Sequence, residues 1–173
     1  EQGGTLTFSD EAIERVLQLS SGHPYLIQLL CQRIWERAHE KESDKVPLID
    51  QAFVEAAVPN SLEAGYQAFA WLWDGLSPAE KIYTAAFAEA TEEGGTIAED
   101  EVIHILATHA ARLRTQEVEM APLDLVRRRV LAEVDDHIYR FNIELFRRWI
   151  RAYKPLREVK DELDQIDPLA DQT

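Results

Sequence analysis

The stretch Val-Leu-Ala-Glu-Val-Asp-Asp-His-Ile-Tyr-Arg-Phe, residues 130–141, decides the fold predicted for the second half of this chain. Residues 130–134 and 138–141 are rich in apolar, β-branched and aromatic side chains, whereas residues 135–137 are two aspartates and a histidine. Two such segments around a short polar sequence are typical of a β-hairpin. The rest of the chain has helical patterns, so we expect a mainly α protein with one small hairpin.

Three helical patterns precede this hairpin. Residues 77–80 read Ser-Pro-Ala-Glu, a capping box with proline at the first helical position. Residues 96–99, Thr-Ile-Ala-Glu, predict a second capping box, and Pro122 is expected to begin the third helix. Helix, helix, helix and hairpin is the order of a winged helix-turn-helix, which we assign to residues 77–157. The apolar face of the third helix is expected to contain Leu123, Val126 and Val130.

Residues 1–60 predict a separate bundle of three helices. The first helix is expected to begin at Ser9 or Asp10. It should end near Gly22, which suits a left-handed backbone, and Pro24 should take the first position of the second helix. A third helix follows a charged turn. The apolar residues expected to face the core of this bundle are Ile13, Val16, Leu17, Leu26, Ile27, Leu29, Leu30, Cys31, Ile34, Trp35, Phe53, Val54, Ala57 and Val58.

The segments next to these two modules have their own patterns. Residues 59–61, Pro-Asn-Ser, are expected to break the third helix of the bundle. Residues 61–76 place aromatic side chains such as Phe69 and Trp73 at helical spacing. We interpret them as a bridging helix buried between two bodies, and ordinary core is the alternative. Residues 158–173 hold six acids and one lysine, which predicts an acidic C-terminal tail.

Composition limits the function. The formal net charge of -14 argues against a nonspecific nucleic-acid binder, although residues 112–157 hold 11 Lys and Arg against 7 Asp and Glu. No run approaches the roughly 18 apolar residues of a membrane span, and we expect no signal peptide, because residues 1–4 have neither a basic region nor an apolar core. The single cysteine, Cys31, excludes an internal disulfide, and a buried, inert thiol suits a reducing cytoplasm. Because the only methionine is Met120, we expect a longer parent protein.

The residue types that catalysis requires show no recognisable pattern. A P-loop needs Gly-x-x-x-x-Gly-Lys-Ser/Thr, and the sequence has no Gly-Lys pair. Residues 130–136 resemble a Walker B strand only superficially, because Glu133 interrupts the apolar run and a second strand follows. The five histidines and the single cysteine lack zinc-binding spacing. We therefore predict no catalytic residue and no metal site, and we expect that the chain alone is not an enzyme.

The run Leu-Ser-Ser-Gly-His-Pro-Tyr-Leu-Ile-Gln-Leu-Leu-Cys, residues 19–31, resembles the helical lid of bacterial STAND-type P-loop ATPases, which are relatives of the AAA+ proteins. The likeness continues in residues 66–80 and 139–149, which resemble a connecting helix and the end of a winged helix. It departs from the AAA+ pattern because no arginine near Gly22 could act as a sensor on the phosphates. The resemblance covers nearly the whole chain.

This resemblance implies a role for the corner between the first two helices. In that family a Gly-x-Pro corner lies against the bound nucleotide. By position, Gly22 would permit close approach, Pro24 would touch the base or ribose, and His23 would lie nearby. ATP or ADP with Mg²⁺ would be bound by the intact protein, with an upstream P-loop domain as the first partner and other signalling domains as further partners. The chain would contact nucleotide and regulate the switch without catalysing hydrolysis alone.

A cluster of arginines is the best binding signal in the second half. Residues 127–129 are expected on the recognition helix, where arginine can contact guanine edges or phosphates. The alternative is a solvated face whose arginines pair with Asp124, Glu133 or the acidic tail. The resemblance adds a third possibility, in which they face the nucleotide-binding domain. A DNA-binding regulatory module is thus the alternative function. The candidate contact residues are Arg127, Arg128, Arg129 and Arg140.

Overall fold

The computed structural model describes residues 6–40, 47–109 and 115–166. The protein is mainly helical with a small antiparallel sheet, so the predicted fold class is confirmed. The chain divides into two compact units, Glu1–Ala68 and Phe69–Thr173. Within the described ranges, no helix is long and apolar enough to cross a membrane.

The first unit is a bundle of helices with a minimal parallel sheet. Its strands pair Thr7 with Leu48 and Phe8 with Ile49. Ser9 caps the first helix, because its side chain accepts a hydrogen bond from the Ala12 amide at 3.2 Å. The elements are β1 (Thr7–Phe8), α1 (Asp10–Ser20), α2 (Pro24–His39), β2 (Leu48–Ile49) and α3 (Gln51–Ala64), and α4 (Tyr66–Asp74) begins here and continues into the second unit.

Two expectations for this unit are wrong. Pro59 does not end α3, because burial of Val58 and Leu62 on either side outweighs the one hydrogen bond that proline removes. The apolar face of α1 is also rotated from the expected one. Ala12, Val16 and Leu19 are buried, whereas about half of the Ile13 and Leu17 side chains is exposed, as is that of Trp35.

The second unit has the order of a winged helix. Its three-stranded sheet runs β3-β5-β4, with Ile97 opposite Tyr139 and Leu131 opposite Phe141, so the predicted hairpin is confirmed. The elements are α5 (Pro78–Ala90), β3 (Thr96–Ala98), α6 (Glu99–Thr108), α7 (Thr115–Arg127), β4 (Leu131–Asp135), β5 (Ile138–Phe141), α8 (Glu144–Tyr153) and α9 (Leu156–Ile166).

Helix α5 is the centre of the second unit and contacts α6, α7, α8 and α9. Its predicted capping box is confirmed, since the Ser77 amide donates to Glu80 Oε2 at 2.6 Å and the Glu80 amide donates to Ser77 Oγ at 3.3 Å. Leu156 and Val159 of α9 are buried. The first part of the acidic segment is helical, as the helical spacing of Leu156, Val159 and Leu163 predicts, and α9 extends to Ile166.

Two helix starts in this unit differ from the prediction. Residues 96–99 do not form a capping box; they supply strand β3, and Ala98 precedes α6 without a side-chain cap. Pro122 lies inside α7, which begins at Thr115. The buried face of α7 is formed by residues 118, 121, 122 and 125, so Leu123 points away from the core. Of the polar segment that we left unassigned, residues 112–114 lie outside the described residues.

Candidate functional site

The corner between α1 and α2 is built from two consecutive left-handed residues. Ser21 has φ 48° and Gly22 has φ 71°, so the expected left-handed glycine is confirmed, although the helix cap is Ser21. The Gly22 amide donates to Ser20 Oγ at 3.3 Å, and the His23 amide donates to the Ser20 carbonyl at 2.9 Å. These two hydrogen bonds therefore stabilise this backbone conformation of the corner.

The outside of this corner is open. Residues 21–25 are all exposed, and Pro24 takes the first position of α2 as predicted. A Cβ placed on Gly22 would meet no atom within 4 Å, so glycine is favoured here by the positive φ and not by crowding. The space beside Gly22 is open to a partner. The rings of His23, Pro24 and Tyr25 suit stacking against a base or ribose. Residues 20–31 include no Lys or Arg that could bind phosphate.

An apolar groove begins one helical turn from the corner. It has a volume of about 230 Å³, and every lining side chain is aliphatic or aromatic except the Cys31 thiol. Leu17 precedes the corner by one turn and Ile27 follows Pro24 by one turn, so the groove lies one turn from the corner along both helices. We call this the lid groove, after the lid that the sequence resemblance predicts. It is lined by Phe8, Ile13, Val16, Leu17, Ile27 and Cys31.

Cys31 is half-buried at the floor of the lid groove. Desolvation raises the pKa of its thiol, so the neutral thiol predominates at neutral pH. The predicted inert thiol agrees with this direction, but the side chain is half-buried where we expected it to be buried. Sequence reasoning missed the groove because it assigned Ile13 and Leu17 to the core. The available signal was an apolar face on α1 broader than one neighbouring helix could cover.

The four candidate arginines do not form one helical surface. Only Arg127 belongs to α7; Arg128 and Arg129 lie in the following turn, where Arg129 has φ 59°. The Val130 amide donates to the Leu125 carbonyl at 2.9 Å, which closes the helix end. Placing all three arginines on the helix was therefore wrong.

Two of these arginines pair with acids. Arg127 Nη1 lies 3.0 Å from Asp124 Oδ1, the pairing that our solvated-face alternative expected. Arg128 Nε lies 2.8 Å from Glu80 Oε1, whose side chain is buried, so Arg128 stabilises the start of α5. Arg140 is exposed on β5 opposite Ala132.

The charges of the winged helix disfavour DNA contact. The outward side of α7 carries Glu117 and Glu119, and Arg127 is the one cation in Thr115–Arg127. At the tip of the hairpin, residues 133, 135 and 136 are exposed acids. Phosphate backbones require Lys and Arg at such positions. In the described part of this unit, the outward side of α7 and the tip of the hairpin therefore carry mainly negative charge. These are the two elements with which a winged helix contacts DNA, and negative charge there is unfavourable.

His137 connects the hairpin turn to the start of α6. Its Nδ1 lies 2.9 Å from Glu99 Oε2, and its amide donates to Glu133 Oε1 at 3.2 Å. The hydrogen bond to Glu99, followed by the charges of Asp136, Glu99 and Glu133, raises the pKa of His137 above its ordinary 6.5. Burial, helped by the charge of Glu99, raises the pKa of Tyr139 to about 12.

Replacing Glu99 with glutamine is expected to lower the pKa of His137, because the strongest partner of the imidazolium loses its charge. NMR titration of the imidazole resonances measures the pKa in both proteins. Because the pKa of His137 in the folded protein is above 6.5, the pair with Glu99 contributes its full stabilisation below pH 6.5. This contribution is lost as the pH rises through the pKa of the folded protein. The exposed Glu101→Gln on the same helix is the control. An unchanged pKa in E99Q would show that this hydrogen bond does not form in solution.

Within the three described ranges, no group of three or more His, Cys, Asp or Glu side chains is arranged to hold a metal ion. Comparison of this chain with protein-family models, curated proteins and solved structures finds no match. The resemblance carried by residues 19–31 therefore stays a prediction from the sequence.

Proposed function

We propose that this chain is the lid and winged-helix region of a STAND or AAA+ ATPase, where it contacts nucleotide together with a P-loop domain and regulates the switch. The observation that carries this proposal is the exposed Gly22-His23-Pro24 corner with its left-handed backbone, which lies one helical turn from the lid groove. An open turn beside an apolar groove suits a surface that closes over a ligand held by another domain.

The residues of the corner indicate which part of the nucleotide this chain would contact and which part the P-loop domain would bind. Its rings and open backbone fit the base or ribose of ATP or ADP, whereas residues 20–31 supply no cation for the phosphates. The P-loop domain would therefore bind the phosphates and Mg²⁺. The nucleotide bound there would supply the chemistry of phosphoryl transfer. On this proposal the chain is not an enzyme by itself, and it works in the cytoplasm.

The winged helix would act through protein contacts. Arg127 and Arg128 pair with Asp124 and Glu80, and the hairpin tip is acidic. This charge pattern suits restraint of a neighbouring domain better than it suits a nucleic acid. DNA binding is thus the weaker candidate.

The proposal is tested by nucleotide binding to the complete gene product and to the 173-residue chain. We expect fluorescent ADP to bind the complete product and not the isolated chain. Pro24→Ala should weaken binding about tenfold, the effect of losing one good contact. Pro59→Ala, at an exposed position of α3, is the matched control and should leave binding unchanged.

Two outcomes would overturn this function. One is a complete gene product without a P-loop, or one whose ADP affinity is the same with Pro24 and with alanine. The other is micromolar binding of duplex DNA by the isolated chain that falls steeply with salt and is lost in the Arg127→Ala, Arg129→Ala and Arg140→Ala variants. Arg128 is omitted from that set because its ion pair with Glu80 is structural.

A further inference from the structure

Helix α7 leaves an apolar stripe uncovered. The Met120 and Leu123 side chains are 44% and 42% exposed, although Val118, Ala121 and Leu125 on the opposite side are buried. Residues 116, 120, 123 and 127 follow the spacing i, i+4, i+7, i+11, which places them in one row along the helix. We call this row the α7 face; it consists of Gln116, Met120, Leu123 and Arg127.

A groove runs beside the α7 face. It lies between α7 and the first turn of α5, has a volume of about 620 Å³, and is contained within the second unit. Met120 belongs both to the groove and to the α7 face, so the groove and the row form one continuous surface. The apolar residues that line the groove are Pro78, Ala79, Met120 and Ala121, and Glu117 and Asp124 line it as well.

The rim of this surface is negatively charged. Glu117 and Asp124 lie on the groove side of α7, and Glu119 lies on the other side of Met120. Asp124 pairs with Arg127, whereas Glu117 and Glu119 have no ion pair with any described residue. A positively charged partner would gain from this rim, and nucleic acid would be repelled.

We propose that the α7 face and its groove form a docking site for a basic amphipathic helix of a partner protein. Apolar side chains of the partner would contact Met120 and Leu123, and its Lys or Arg side chains would face Glu117 and Glu119. An amphipathic helix presents anchors at the same i, i+3, i+4 and i+7 spacing as the row on α7. Helix α7, which stands where a winged helix has its recognition helix, would thus bind a protein. This inference does not depend on nucleotide binding by the corner.

The test uses a fluorescein-labelled synthetic helix with leucines on one face and lysines on the other, titrated with the 173-residue protein. Fluorescence anisotropy should show saturable binding that weakens with salt. The double variant Met120→Ser with Leu123→Ser should bind at least about tenfold more weakly, since two apolar anchors are lost. Glu117→Lys with Glu119→Lys should also weaken binding.

Matched controls separate this site from general attraction to an acidic protein. Glu158→Lys with Glu162→Lys makes the same charge change at exposed positions of α9, and Ile13→Ser with Leu17→Ser removes the same kind of exposed side chains from the lid groove. Both should bind like the unmodified protein. The proposal is overturned if the helix does not bind, if the Met120 and Leu123 variant binds normally, or if the controls weaken binding equally. All variants alter exposed side chains, and circular dichroism confirms their folding.

Discussion

Replacing Arg147 with methionine is expected to lower the free energy of unfolding of the second unit by about 3 kcal/mol, the cost of breaking a buried ion pair. Arg147 is 5% exposed, and its Nε and Nη2 donate to the two oxygens of Glu144 at 2.9 and 2.8 Å. Its Nη1 donates to the Thr91 carbonyl at 2.7 Å and to that of Ala88 at 3.4 Å. One side chain thus satisfies a buried carboxylate and the end of α5.

Urea unfolding measures this change. Three of the four tryptophans lie in the second unit, so fluorescence follows mainly that unit. Arg151→Met, at an exposed position of the same helix, is the control and should change stability by less than about 0.5 kcal/mol. Adding Glu144→Leu should recover part of the loss, because it removes a buried carboxylate that keeps only Arg148, whose Nε lies 3.0 Å from Glu144 Oε1. Equal stabilities of R147M and R151M would show that the ion pair does not stabilise the fold.

The local features of this fold could be predicted because short-range chemistry determines them. The capping box of Ser77 and Glu80 needs only residues three apart. The hairpin of β4 and β5 likewise depends on two adjacent β-rich segments around a polar turn. The left-handed corner at Gly22 is another such case. Each competing conformation would leave a backbone group without a partner or strain a residue.

The features that could not be predicted depend on contacts distant in sequence. Strand β3 pairs with β5, so that Ile97 lies opposite Tyr139. The residues near Ile97 in the sequence do not indicate this pairing. The same residues also fit a capping box. Pro59 suggests the end of a helix and Pro122 the start of one, yet both lie within helices whose apolar sides are buried. Burial of several side chains outweighs the roughly 3 kcal/mol that an interior proline costs.

The candidate site divides in the same way. The corner at Gly22, His23 and Pro24 follows from sequence, because a glycine and a proline at a helix junction have fixed conformational preferences. The lid groove and the α7 face do not. Apolar periodicity cannot distinguish a side chain that faces the core from one that faces a separate partner, so Leu17 and Leu123 were both assigned to the interior.

The second large effect is expected at Trp149, which the structure buries completely. Its ring lies 5.9 Å from Phe69, 6.0 Å from Phe146 and 6.4 Å from Trp73, measured between centroids. Trp149→Ala would leave a large cavity at the point where α4 and α8 meet. We expect the free energy of unfolding of the second unit to fall by about 4 kcal/mol. Urea unfolding followed by circular dichroism at 222 nm, a standard helix signal, measures it.

Trp71→Ala is the matched control, because the same substitution is made in α4 but the Trp71 side chain is 77% exposed. It should change stability by less than about 0.5 kcal/mol. Where Trp149→Ala unfolds the second unit outright, Trp149→Phe keeps an aromatic ring in the cluster and should lose less than alanine does. If Trp149→Ala and Trp71→Ala cost the same, the aromatic cluster would not be the core of this unit. The expected order therefore tests the packing of the aromatic side chains of α4 against Trp149 of α8.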